Sequence, residues 1–219
     1  MTLKEIKVNK PKSNFLLQLK HGIKKPLCIL NEKMLDDALT EEQKNAIKEI
    51  PFLLNKEKVT MFYPGSGIDL LFPILYLNKI TDAKDITIIF ADQNIESETI
   101  ISLMMQLTGI HAYKKKQNKI IFKFKTKKIT LIIQKENVFA KLPEEILEGY
   151  DFYFERAFDL FRSSAPDFIK KAIALLNENG FLITDKKITH KYLKQISTRE
   201  ELKVLGFYDE LGIYEKVTK

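Results

Sequence analysis

The chain has 219 residues, 45% of them hydrophobic and 30% charged, with only eight Gly and seven Pro. That length and balance describe one sizeable domain with an extension, and they exclude disordered, collagen-like and disulfide-scaffold classes. Net charge is +7, carried almost wholly by Lys: Arg occurs only at Arg156, Arg162 and Arg199, so the base-reading forks of sequence-specific nucleic-acid binders are scarce.

The N-terminus, MTLKEIKVNKPKS, places charges where a signal peptide needs an apolar run. From Met1 to about Glu57 the pattern is helical. Phe15, Leu16, Leu19 and Ile23 recur at helical spacing up to Pro26, and a second helix runs over Asp36 to Ile50, with Thr40 and Gln43 as its start signal. Residues 1–57 therefore read as a helical extension and 58–219 as the main domain. The lone Cys28 forms no intramolecular disulfide, and His21, His111 and His190 lie too far apart for zinc-site spacing, so no metal is expected.

After Lys58 the pattern changes. Val59 to Tyr63 is a continuous apolar run, the mark of a strand buried on both faces, and it is closed by the turn Pro64-Gly65-Ser66-Gly67. A helix follows from about Asp69 to Asn78; its apolar stretch Leu70 to Leu77 is broken by Pro73 and too short to span a bilayer. The run ITIIFA ends at Asp92, and a helix runs from Ser97 through Leu107 to Gly109. Lys119 to Gln134 reads as two strands of a hairpin whose second member enters the sheet. Then come a strand over Asp151 to Glu155, a helix over Pro166 to Asn177, a strand over Gly180 to Thr184, and a helix from Thr189 or Ser197 to about Leu202. The terminal KVLGFYDELGIYEKV suggests an antiparallel hairpin at the sheet edge. This alternation predicts an α/β fold, a Rossmann-like three-layer sandwich with right-handed crossovers.

The turn after the first strand carries the chemistry. Gly65 and Gly67 allow backbone closed to other residues and let a ligand approach the main chain, and free amides at the next helix start face the sheet's carboxyl edge. Leu70 stands where a dinucleotide fingerprint needs its third glycine, and no Lys-Ser or Lys-Thr pair of a P-loop follows. Asp92, ending the second strand, is placed to accept hydrogen bonds from both hydroxyls of a ribose lying over that turn. Taken singly, it is equally a turn or cap residue.

In the order VTMFYPGSGID, ITIIFAD, GYDFYFERAF, NENGFLITD and a closing LGF, the chain from Lys58 onward resembles the class I S-adenosylmethionine-dependent methyltransferases. The resemblance implies a seven-stranded, mostly parallel sheet with an antiparallel last strand, S-adenosylmethionine as cofactor, and methyl transfer to an oxygen or nitrogen of a small molecule, RNA or protein. It places cofactor contacts at Tyr63, Gly65, Ser66, Gly67, Asp69, Asp92, Gln93 and Asn137. Tyr63 stands where the family has an acid and Asp69 where it has a glycine; Asp69 is suited both to cap the helix and to take the missing acid's contact with the cofactor amino group. Asn137 either reaches an adenine edge or makes a turn. The resemblance puts catalytic or substrate-facing groups at Glu155, as a base, and Arg156, as an anion clamp; a solvated ion pair is the alternative. Two other functions stay open: a non-catalytic binding or assembly module on the same fold, and another enzyme working on an adenosyl nucleoside.

From His111 to Lys135 there are nine lysines and no acid. This run, Lys114 to Lys128 above all, reads either as a surface for RNA or an acidic partner or as the solvated face of an exposed edge strand. A cytoplasmic protein with no membrane segment is expected.

Overall fold

The computed structural model of the protein describes residues 39–108, 113–124, 126–158, 162, 165–197, 200–206 and 210–217. Cys28, His21, His111, Lys125, Arg199 and the helix proposed around Phe15 lie outside them. The first described helix, α1 (Glu41–Lys48), begins with the reciprocal cap read from the sequence: Gln43 N donates to Thr40 Oγ1 and Thr40 N to Gln43 Oε1, each at 3.1 Å. Ala46, Ile47 and Ile50 join the same buried cluster as Val59, Leu77 and Leu205, so this end of the extension shares the core of the main domain.

The remaining elements are β1 (Lys58–Pro64), α2 (Leu71–Ile80), β2 (Asp85–Ala91), α3 (Ser97–Thr108), β3 (Tyr113–Lys116), β4 (Lys119–Phe124), β5 (Lys127–Gln134), a 3-10 turn (Glu144–Ile146), β6 (Tyr150–Glu155), α4 (Pro166–Leu175), β7 (Leu176–Thr184), β8 (Leu193–Ser197), a 3-10 segment (Glu200–Leu205) and β9 (Gly212–Lys216). The strands form one sheet in the order β3-β4-β5-β2-β1-β6-β7-β9-β8. β5, β2, β1, β6 and β7 are mutually parallel, and β9 is antiparallel to both β7 and β8.

Parallel strands covered on both faces favour apolar side chains on both, which is why β1, β2 and β6 are mostly apolar: all six residues of β6 are buried, Asp151 and Glu155 among them. Met61, Tyr63, Ile88, Phe90 and Phe154 face one cluster with α2 and α3; Phe62, Ile89, Tyr153 and Leu182 face a second cluster with α4 residues Phe168, Ala172 and Ile173. The Rossmann-like, mostly parallel architecture with an antiparallel final strand is therefore present.

Three expectations are corrected. The sheet has nine strands among the described residues, not seven, because the β3–β4 ribbon adds to the β5 edge. The C-terminal hairpin is not formed: Val204 and Leu205 sit in a 3-10 segment, and β9 inserts between β7 and β8. Leu193–Ser197 is a strand, not part of a helix from Thr189. The alternation of Leu193, Gln195 and their neighbours is short and polar enough to suit either state, and pairing with β9 decides it. Among the described residues no helix is long and apolar enough to cross a membrane, and no group of three or more His, Cys, Asp or Glu is placed to hold a metal ion.

Candidate functional site: a crevice at the carboxyl edge of the sheet

The chain moves outward from β1 through β2 to β5, then returns to β6 and β7 on the other side of β1, so the strand order reverses at β1 and leaves a crevice at the carboxyl ends. A cavity of about 300 Å³ opens there, lined by residues that come after four different strands: Gly65, Ala91 to Asn94, Glu136 to Phe139, and Phe158. Its volume lies at the lower end of small-ligand pockets.

Gly65 and Gly67 both adopt left-handed backbone, φ +59° and +51°, as a turn this tight requires. Gly65 N donates to Ala91 O at 2.8 Å, which ties the turn to the neighbouring strand. A Cβ at Gly65 would lie 2.0 Å from Cδ2 of Phe158, so the ring rests directly on the glycine backbone. Phe158 in turn stacks on Phe139, ring centroids 5.4 Å apart and planes 7° from parallel, and both meet Phe168 edge-on.

Asp92 points at the turn. Its Oδ2 accepts from Gly67 N at 3.1 Å and its Oδ1 from Asn94 N at 2.7 Å. A carboxylate has room for about four hydrogen bonds, so lone pairs remain on both oxygens toward the cavity. Across from it, Glu136 carries a buried Oε2 with no hydrogen-bond partner. Asn137 makes the turn of its own loop, Oδ1 accepting from Phe139 N at 3.0 Å, while still lining the cavity. Among the described residues the lining thus holds two carboxylates and no lysine or arginine.

The other sequence candidates sit behind this wall. Tyr63 is 1% exposed and donates its hydroxyl to Asp69 Oδ2 at 2.9 Å; burial, then the Asp69 charge, push its pKa well up. Asp69 caps α2 as expected, accepting from Phe72 N at 3.3 Å, and also meets Arg156 Nη1 at 3.4 Å. Burial raises the Asp69 pKa, with Arg156 and Tyr63 opposing. Arg156 does not reach Glu155: its Nε donates to Leu205 O at 3.1 Å and its guanidinium lies 3.6 Å over the Phe72 ring. Ser66 is 3% exposed and its Oγ has no partner.

Glu155 is fully buried. It accepts from Tyr153 and Thr184 hydroxyls, each at 2.6 Å, and pairs with Arg162 Nη2 at 3.1 Å. Its pKa is raised, first by desolvation, with Arg162 and the two hydroxyls pulling down. Next to it Asp185 Oδ2 accepts from Ala157 N at 2.6 Å, fixing the left-handed turn at Ala157 that aims Phe158 into the crevice.

Of the sequence candidates, Gly65, Asp92, Gln93 and Asn137 are brought to one cavity; Tyr63, Ser66, Gly67, Asp69, Glu155 and Arg156 form its support and do not line it. Asn94, Phe139 and Phe158 line it without having stood out in the sequence. Their signal is faint: aromatics after strand ends, at 139 and 158, are indistinguishable by pattern from core residues.

No family model and no curated protein matches the sequence. Among solved structures, the chain is similar to a Listeria monocytogenes protein provisionally assigned as a class I S-adenosylmethionine-dependent methyltransferase (12% identity, TM-score 0.40, 93% of this chain and 65% of that one). It is also similar to a SAM-dependent methyltransferase of Geobacter sulfurreducens in complex with S-adenosyl-L-homocysteine (10%, 0.36, 89% and 62%) and to one of Aquifex aeolicus (12%, 0.39, 86% and 99%). The chain spans under two thirds of the Listeria and Geobacter chains. All three of these TM-scores lie below 0.5, so the function of the site is carried by its own residues.

Proposed function

We propose that the crevice binds the adenosyl part of S-adenosylmethionine and that the protein transfers its methyl group to an oxygen or nitrogen nucleophile. The observation that carries this is the charge of the lining: Asp92 and Glu136 come from adjacent strand ends, and among the described residues no lysine or arginine lines the cavity with them. Nucleotides bring phosphates, which two carboxylates in the lining repel; an adenosyl sulfonium brings hydroxyls, an exocyclic amine and a positive charge, each of which suits carboxylates. The free lone pairs of Asp92 fit a ribose diol, and the orphaned Oε2 of Glu136 fits a donor such as the amine.

When bound, the cofactor supplies an activated methyl for in-line attack. The chain contributes position and exclusion of water. Glu155 holds Arg162 and Thr184, and Arg156 holds Asp69 against Leu205, so both act as positioning residues behind the wall. The closed setting of Glu155 and the Phe158 ring over Gly65 also favour a second reading, a module that binds the nucleoside without turning it over. Methyl release from labelled cofactor into an RNA or protein pool separates the two.

Calorimetric titration with S-adenosylhomocysteine tests the binding site. Binding is expected, weakened by about 1–3 kcal/mol in Asp92→Ala and in Glu136→Gln as a buried acceptor is lost, and ADP or NAD should give no heat. Absent heat with S-adenosylhomocysteine, or equal affinity for ADP, refutes the proposal.

A further inference from the structure

The lining of the crevice has an order along the sheet edge. Its residues follow strands that stand side by side as β5-β2-β1-β6: Glu136 to Phe139 after β5, Asp92 to Asn94 after β2, Gly65 after β1 and Phe158 after β6. A nucleoside with its sugar on Asp92 and its base toward Glu136 and Asn137 therefore points the substituent on the far side of the sugar at β1, across Gly65. That place is filled by the protein itself.

The left-handed backbone at Gly65 leaves a hollow, and the ring of Phe158 lies in it: a Cβ at Gly65 would be 2.0 Å from Cδ2 and 2.4 Å from Cε2 of that ring. Phe139 stacks on the ring, planes 7° from parallel, and Phe168 meets it edge-on. The backbone around it is pinned on both sides. The buried Asp185 accepts from Ala157 N at 2.6 Å through Oδ2, and Phe158 O accepts from Arg162 N at 3.0 Å. Ala157 carries a side chain yet holds φ +56°. A residue with a Cβ is strained there and keeps that conformation only when its surroundings impose it. Strain of this kind gathers at ligand clamps and switch segments, and here it aims one ring at one glycine.

We infer that Phe158 sets which adenosyl ligands the crevice accepts: with the ring on Gly65 it takes the nucleoside and excludes an amino-acid arm, and the arm enters only when the ring lifts. This role of Phe158 rests on the adenosyl reading above. The cavity of about 300 Å³ is the space left with the ring down. Lifting the ring gives up its contacts with Phe139 and Phe168, so the raised form is the minor one, and a ligand that needs it binds more weakly in proportion to its population. A ligand without the arm escapes that loss.

Calorimetric titration of the full chain with two probes tests the inference. Methylthioadenosine ends in a methyl group on the sulfur; S-adenosylhomocysteine carries the amino-acid arm on the same sulfur. In the wild type the armless probe should bind at least as tightly. In Phe158→Ala the ratio of S-adenosylhomocysteine affinity to methylthioadenosine affinity should rise about tenfold or more, the inverse of a raised population of about a tenth or less. Phe158→Leu keeps an apolar side chain against Phe139 and Phe168 and should raise the ratio severalfold; it decides the matter where the alanine variant does not fold. Because the readout is a ratio, a general loosening of the crevice cancels. A wild type that favours the armed probe, or a ratio unchanged or lowered in the variants while methylthioadenosine still binds, overturns the role of Phe158 and leaves the adenosyl crevice standing. No heat from either probe with the wild type removes the crevice reading, and this inference with it.

Discussion

Buried polar groups sit at both ends of the central strands, and around the cavity at the carboxyl end some of them are left without a partner. At the amino end, Asp151, 6% exposed, holds three donors: Lys56 Nζ, Thr60 N and Asn177 Nδ2 donate to it at 2.6, 2.9 and 3.0 Å, joining β1, β6 and β7. At the carboxyl end, Ser66 Oγ and Glu136 Oε2 are buried without a partner, and Gly65 and Gly67 hold left-handed backbone, Gly65 beneath the Phe158 ring. A buried acceptor left unmade costs stability. The end that gives up that stability is the one with the cavity, and the other end compensates by holding the strands in register.

The sharpest way to break this comparison is Asp151→Ala. Three donors lose their acceptor at once, and about 3 kcal/mol of unfolding free energy should go with it, while S-adenosylhomocysteine affinity stays as it was. A loss well below 1 kcal/mol in urea unfolding would show that the amino end is not the anchor.

Next in size is Gly65→Ala, expected to lose about 2 kcal/mol through left-handed strain and displacement of Phe158. The two causes separate in a double-mutant cycle. In a Phe158→Ala background the ring is gone and only the strain, about 1 kcal/mol, should remain. Equal losses in both backgrounds would mean that Phe158 yields freely and does not hold the turn.

Glu155→Gln is smaller, about 1 kcal/mol, and its pH dependence matters more than its size. Desolvation raises the folded pKa of Glu155 above the ordinary 4.5. Between the two values the folded state holds the proton that the unfolded state has lost, so this group's contribution is full below 4.5 and declines as pH rises through the folded value. The gap between wild type and Glu155→Gln should therefore narrow with rising pH in parallel melts; a gap that widens would mean that Arg162 outweighs burial.

These differences mark what the sequence could reveal. Unbroken apolar runs such as ITIIFA announce buried parallel strands, and the Thr40 cap and the glycine turn are legible because each is local. The amino-end anchor is not, since Lys56, Asp151 and Asn177 are brought together only by strand order. The same holds for Arg156, adjacent to Glu155 in the chain yet bound to Asp69 and Leu205. Consecutive strand residues point to opposite faces, so neighbours in sequence are poor candidates for an ion pair. β8 misleads for another reason: a short, half-polar segment takes its state from the partner it pairs with.

The smallest expected effect discriminates most finely. If the unpartnered hydroxyl of Ser66 were merely a packing fault, Ser66→Ala would remove a desolvation penalty and leave the protein as stable or more so, by up to about 1 kcal/mol, with nothing lost in binding. If the hydroxyl keeps the turn in the shape that presents Gly65 to a ligand, stability would behave in the same way while S-adenosylhomocysteine affinity falls severalfold. Measured together, melting and titration of this one variant decide whether the carboxyl end gives up stability for function, because Asp151→Ala at the amino end should show the reverse pairing, a large loss of stability with no loss of affinity.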